Sequence, residues 1–151
     1  YTLFPEVLKI PMFVHLPVWM RGLSADPNLI AFTVDLTPTL YYLLGQRPIA
    51  INPLFGRPLF TERPEEVTPY LRNDSVVTSS YGPVYGVISD AGRSLYIADG
   101  VSNREYAFDL TTGPGGTSRA VTNEVRDAAV QTIRDMIRDL TRFFRVPIDP
   151  P

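Results

Sequence analysis

Apolar and polar positions change rhythm several times along the chain, and each rhythm predicts a different element. From Lys9 to Leu16 the run Lys-Ile-Pro-Met-Phe-Val-His-Leu is short, apolar and bounded by Pro11 and Pro17, the pattern of a buried strand entering from a turn. A loop from Met20 to Asn28 follows, with Gly22, Asp26 and Pro27 as its breakers. Between Thr33 and Gly45 the period becomes helical: Leu40, Leu43 and Leu44 fall three and four apart and predict one buried face. Thr37 is suited to cap that helix and Pro38 to its first position, where a missing N–H costs nothing; Gly45 is suited to end it. From Gln46 to Pro69, prolines at 48, 53, 58, 64 and 69 exclude a long helix or a central strand and predict a traversing loop.

After Asn73-Asp74 the chain turns to short segments rich in Val, Ile, Tyr and Phe: Ser75–Tyr81, Val84–Ser89, Ser94–Ala98 and Arg104–Leu110. Gly82-Pro83, Asp90-Ala91-Gly92-Arg93 and Asp99 to Asn103 separate them at hairpin spacing, which predicts a four-stranded antiparallel meander. Asp90 and Asp99 belong to these turns and lack the alternating acids of a calcium loop. A glycine loop from Thr111 to Gly116 leads to a long terminal helix, capped by Ser118 or Thr122 and running to about Phe144. Val125, Ala129, Ile133, Met136, Ile137, Leu140 and Phe144 form its apolar stripe, with Ile133, Ile137 and Leu140 expected against the sheet. The opposite face alternates arginine and aspartate at helical spacing, which reads as a solvated surface. Pro147 and the tail from Asp149 end the fold.

Composition narrows the chemistry. The 151 residues are 44% hydrophobic and 20% charged, enough for a core, and the formal net charge of −2 gives no electrostatic case for nucleic acid or an anionic membrane surface. With no cysteine there is no disulfide, thiolate nucleophile or cysteine zinc site, and a single histidine, His15, cannot supply clustered imidazoles. His15 has two readings, a hydrogen-bonded side chain near the strand end or a catalytic or ligand group. No run reaches the roughly 18 apolar residues that cross a bilayer. The chain begins in apolar sequence without an initiator methionine, which reads as a piece of something longer.

Four motifs together resemble a known superfamily. Val34-Asp35-Leu36-Thr37-Pro38-Thr39-Leu40 through Leu44-Gly45 is similar to the "(I/V)-D-(L/I)-x-P-T-(L)…L-L-G" segment late in the catalytic domain of sulfatases and their alkaline-phosphatase-superfamily relatives. Glu6 with Lys9-Ile10-Pro11-Met12-Phe13-Val14 resembles the family's preceding strand, and Phe55-Gly56-Arg57-Pro58-Leu59-Phe60 its "(D/F)-G-x-S-L" turn. Arg93-Ser94-Leu95-Tyr96-Ile97 and Glu105-Tyr106-Ala107-Phe108-Asp109-Leu110 resemble the strand pair before its terminal helix.

The resemblance implies an α+β fold: a strand-helix piece of an alkaline-phosphatase-like α/β layer with the proline-rich loop in residues 1–69, then a four-stranded antiparallel sheet covered by a long helix in residues 70–151. It implies a metal-dependent hydrolase of sulfuric esters in the full-length protein, using calcium, zinc or manganese, extracytoplasmic or membrane-anchored in some members, and acting on a small sulfate or phosphate ester. The family's nucleophile and its D-H-G metal motif have no counterpart in these residues and are expected upstream, so the chain alone is expected to be inactive and to bind no metal. Lys9, His15 and Arg57 are the only nominees for remote helpers; Arg57 reads as an anion ligand or as a surface side chain. The expected partner is the rest of the catalytic domain. Without it Ile10, Met12, Val14 and Leu43 would expose an apolar face that favours homo-oligomers. A stand-alone binding module and a phosphoglycerol or phosphoethanolamine transferase remain as alternatives.

Overall fold

Runs rich in Val, Ile, Tyr and Phe, separated by turn residues at hairpin spacing, give an antiparallel sheet in the second half of the chain. The computed structural model describes residues 3–20, 22–25, 30–47, 56–70, 72–113 and 115–145. Asp26 and Pro27, Pro48 and Pro53, Phe55, Pro147 and the tail from Asp149, all named above, lie outside them. Two compact units are formed, one from Tyr1–Pro11 with Asn73–Pro151 and the other from Met12–Arg72.

In the first unit a short helix, α1 (Pro5–Leu8), precedes strands β1 (Ser75–Thr78), β2 (Val84–Ser89), β3 (Ser94–Asp99), β4 (Arg104–Asp109) and β5 (Thr117–Arg119), which α3 (Asn123–Arg145) follows. The sheet order is β1-β2-β3-β4-β5, antiparallel throughout, so every strand lies beside its neighbour in sequence. The sheet therefore has five strands, where the sequence pattern showed four. Its fifth strand pairs Thr117–Arg119 with Ala107–Asp109, after a loop that reverses at Gly113 (φ 127°) and Gly116 (φ 62°). Thr117, Ser118 and Arg119 are polar and exposed, without the Val, Ile, Tyr and Phe that marked the other strands, which is why the pattern missed them. At the β3–β4 turn, the Asp99 carboxylate accepts hydrogen bonds from the backbone N–H groups of Val101 and Ser102 and from the Ser102 hydroxyl, so its role is turn chemistry.

Both faces of the central strands are packed. On one face Val87 and Tyr96 meet Ala129 of α3, with Val76, Ala98, Val121 and Ile133 around them. On the other, Leu95 and Ile97 are fully buried, and the ring of Phe4 stands edge-on to Tyr106 at 5.3 Å and to Phe108 at 5.8 Å. A side chain at Gly86 would place its first carbon 2.8 Å from Val77 and 3.4 Å from Leu3, so glycine lets Leu3 close over the strand. Each fully buried Leu, Ile or Phe contributes about 1.5–3 kcal/mol.

Thr122 caps α3, its hydroxyl accepting from the Val125 N–H at 3.3 Å, while Ser118 belongs to β5. The apolar stripe of α3 is only partly used. Ala129 is buried and Ile133, Met136 and Leu140 are half-buried, but Val125, Ile137 and Phe144 are exposed, Phe144 by 75%. Twenty-three residues span about 35 Å of helix. Six-residue strands extend about 20 Å, shorter than the helix, and Ile137, expected against the sheet, is 48% exposed.

In the second unit Lys9–Leu16 does not become the expected strand: the segment, which starts at the end of the first unit, is irregular, and Phe13 is 93% exposed. A strand is defined by the ladder it joins, and among the described residues no strand pairs with this segment. The helix predicted near residue 40 forms as α2 (Leu36–Leu43), on a 3₁₀ turn at Thr33–Asp35, so it begins before the Thr37 cap and Pro38 lies inside its first turn. Gly45 (φ 80°) ends it: the Gln46 N–H bonds to the Tyr41 carbonyl at 2.9 Å and the Gly45 N–H to that of Tyr42 at 3.0 Å. The proline-rich segment makes a 3₁₀ helix at Pro64–Tyr70 and one bridge, Ser24 with Thr61.

Candidate functional site

The helix α2 has two stripes, and the polar one turns inward. Asp35, Thr39 and Tyr42 are buried, whereas Leu40 is 60% and Leu44 77% exposed, so the leucine face expected to be buried points outward and only Leu43 is half-buried. The physical reason lies in residues 57–62. An irregular, proline-bearing segment cannot satisfy its backbone in a ladder, so its N–H groups need side-chain acceptors.

The inward stripe supplies them in register. The Arg57 N–H donates to Asp35 Oδ1 at 2.9 Å, the Leu59 N–H to Thr39 Oγ1 at 2.9 Å, and the Glu62 N–H to the Tyr42 hydroxyl oxygen at 2.9 Å. Gly56 makes the approach possible, since a side chain there would meet the Val34 carbonyl oxygen at 2.4 Å. The fully buried Asp35 carboxylate also accepts from the Phe32 N–H at 2.8 Å and from Nη1 and Nη2 of Arg72, at 3.1 and 3.0 Å. This forked ion pair is the strong geometry for a buried carboxylate. The Arg72 guanidinium lies over the Phe32 ring at 4.8 Å.

At the C-terminal end of α2 this framework borders a cavity of about 440 Å³, lined by Trp19, Met20, Leu23, Tyr42, Leu43, Arg47 and Glu62 among others. Tyr42 is its fixed wall: its hydroxyl donates to Glu66 and accepts from the Glu62 N–H. Burial pushes the Tyr42 phenol above its ordinary range, and the hydrogen bond from Tyr42, followed by that from Arg63, holds Glu66 below the usual carboxylate range. Both shifts lead away from neutral pH, so this pair is built to hold geometry and not to exchange a proton at pH 7. Arg47 stacks on the Tyr42 ring at 4.4 Å and lies 3.8 Å from Glu62. The cavity joins residues from three separated segments, and only the aromatic and charged character of Trp19, Arg47 and Glu62 could have flagged them in the sequence.

The three nominated residues are not gathered at this cavity. Lys9 belongs to the sheet unit, where its Nζ donates to the Gly113 carbonyl at 3.3 Å. His15 is exposed on the irregular segment of the other unit. Arg57 is buried, with Nη2 on the Ile30 carbonyl at 2.8 Å, so it is neither on the surface nor presented to an external anion. Among the described residues no group of three or more His, Cys, Asp or Glu side chains is placed to hold a metal ion. No family model, curated protein or solved structure matches the chain.

Proposed function

We propose that the chain is the C-terminal portion of a sulfatase-like metal-dependent ester hydrolase: a helical piece of its α/β layer, α2, followed by the small antiparallel sheet, with nucleophile and metal ligands upstream. The observation that carries this reading is the orientation of α2. Its motif residues Asp35 and Thr39 lock the loop after the helix, while Leu36, Leu40 and Leu44 stand in solvent beside Val34 and Tyr41. A leucine face of that extent is a packing surface, and in a catalytic α/β layer the covering element would be the rest of the sheet.

The test extends the chain upstream through its coding sequence and measures hydrolysis of 4-nitrophenyl sulfate and 4-nitrophenyl phosphate, with and without a chelator. The expected result is chelator-sensitive sulfate release by the extended protein and none by the 151-residue chain. An upstream sequence without a D-H-G motif, or turnover by the short chain itself, would overturn the reading.

A further inference from the structure

The cavity at the end of α2 has a recognition chemistry of its own, independent of the hydrolase reading. Its volume of about 440 Å³ lies within the range of small-molecule sites. At its edge stands Trp19, the only tryptophan of the chain, 77% exposed, its broad apolar face free to receive a flat ligand. Leu23 and Leu43 add apolar wall. At the polar side Arg47 and Glu62 lie 3.8 Å apart, both more than half exposed, so guanidinium donors and carboxylate acceptors are presented side by side. Hydroxyl groups donate and accept at once and match such a pair, whereas an anion meets Glu62 and a cation meets Arg47.

We propose that this cavity binds a neutral carbohydrate ring, stacked through its C–H face on Trp19 and hydrogen-bonded through adjacent hydroxyls to Arg47 and Glu62. The polar end is pre-arranged: Arg47 rests on the Tyr42 ring, and Tyr42 is clamped by the Glu62 N–H and by Glu66. Little side-chain freedom of the Tyr42 wall is lost when the ligand enters.

Because Trp19 is the sole tryptophan, its emission reports on the site directly. The full chain is titrated with neutral disaccharides containing glucose, galactose, mannose or xylose, and with sodium sulfate and choline as anionic and cationic probes. A saturable change with at least one neutral disaccharide, and none with sulfate or choline, is expected. Calorimetry on Trp19→Ala should show affinity lowered about tenfold, the scale of one lost aromatic stack. Glu62→Gln should weaken the sugar and admit sulfate, because Arg47 is then unopposed. No saturable signal with any of the sugars, unchanged affinity in Trp19→Ala, or preference of the parent chain for either ion would overturn the proposal.

Discussion

In the sheet unit Leu95, Ile97, Val87 and Tyr96 turn inward and the strand backbones satisfy one another, whereas in the helical unit Asp35, Thr39 and Tyr42 turn inward and leucines turn out. The difference follows from where each backbone finds its partners. A ladder leaves side chains free to be apolar, so the sheet gains its stability from burial. A proline-bearing loop has no ladder, so the neighbouring helix gives up its interior face to acceptors. Apolar periodicity marks a helix face, but the unmet hydrogen bonds of the next segment can decide which face goes in.

The comparison breaks first at Asp35. Asp35→Ala removes the acceptor for two backbone N–H groups and for the Arg72 fork, and disrupting a buried pair of this kind typically costs about 3–5 kcal/mol. Urea unfolding followed by amide exchange in residues 30–72 should show the loss there; a variant as stable as the parent would mean the polar stripe is incidental. Next, Leu95→Ala should lower stability by about 2–5 kcal/mol, while Leu40→Ala on the outward face should stay within about 0.5 kcal/mol. Equal midpoints for these two would contradict the assigned faces. A smaller gain is expected at the β2–β3 turn, where Ala91 holds φ 52° without a polar side chain to favour it. Ala91→Gly should relieve about 1 kcal/mol, seen as a raised thermal midpoint.

The smallest effect depends on pH. The hydrogen bond from Arg126, and then that from Tyr96, holds the Glu105 carboxyl below its ordinary value of 4.5. A depressed folded value means that its contribution is present above that ordinary value and lost as pH falls through the folded one. Glu105→Gln should therefore destabilise the sheet unit near neutral pH and converge with the parent in acid. A gap that persists unchanged in acid would remove Glu105 from the pH response.

The first four strands were readable because runs rich in Val, Ile, Tyr and Phe are separated by turn residues that have few other uses; Val84–Ser89 forms as the pattern set it. The α3 cap at Thr122 was readable for the same local reason. What could not be read depends on distant chain. Lys9–Leu16 has strand-like composition, but pairing is a property of two segments. Leu40 and Leu44 form a real stripe, yet Asp35, Thr39 and Tyr42 form an equally periodic one, and only their meeting with Arg57, Leu59 and Glu62 chooses between them. Arg57 looked accessible by residue type alone, while the cavity of Trp19, Arg47 and Glu62 has no spacing to betray it.

The packing of Leu3 and Phe4 on strands from residues 86 to 108 makes the sheet unit discontinuous in sequence, with residues 12–72 inserted between its two parts. During synthesis the inserted unit is complete before the first strand of its host has been made. Leu3 and Phe4 must wait for their sheet, and the closure that unites them with it spans roughly a hundred residues of chain. The entropic cost of such closure grows only slowly with length, by about 0.6 kcal/mol for each doubling. An insert that folds while it waits would shorten the effective loop, so the order of translation itself would help the sheet unit to close.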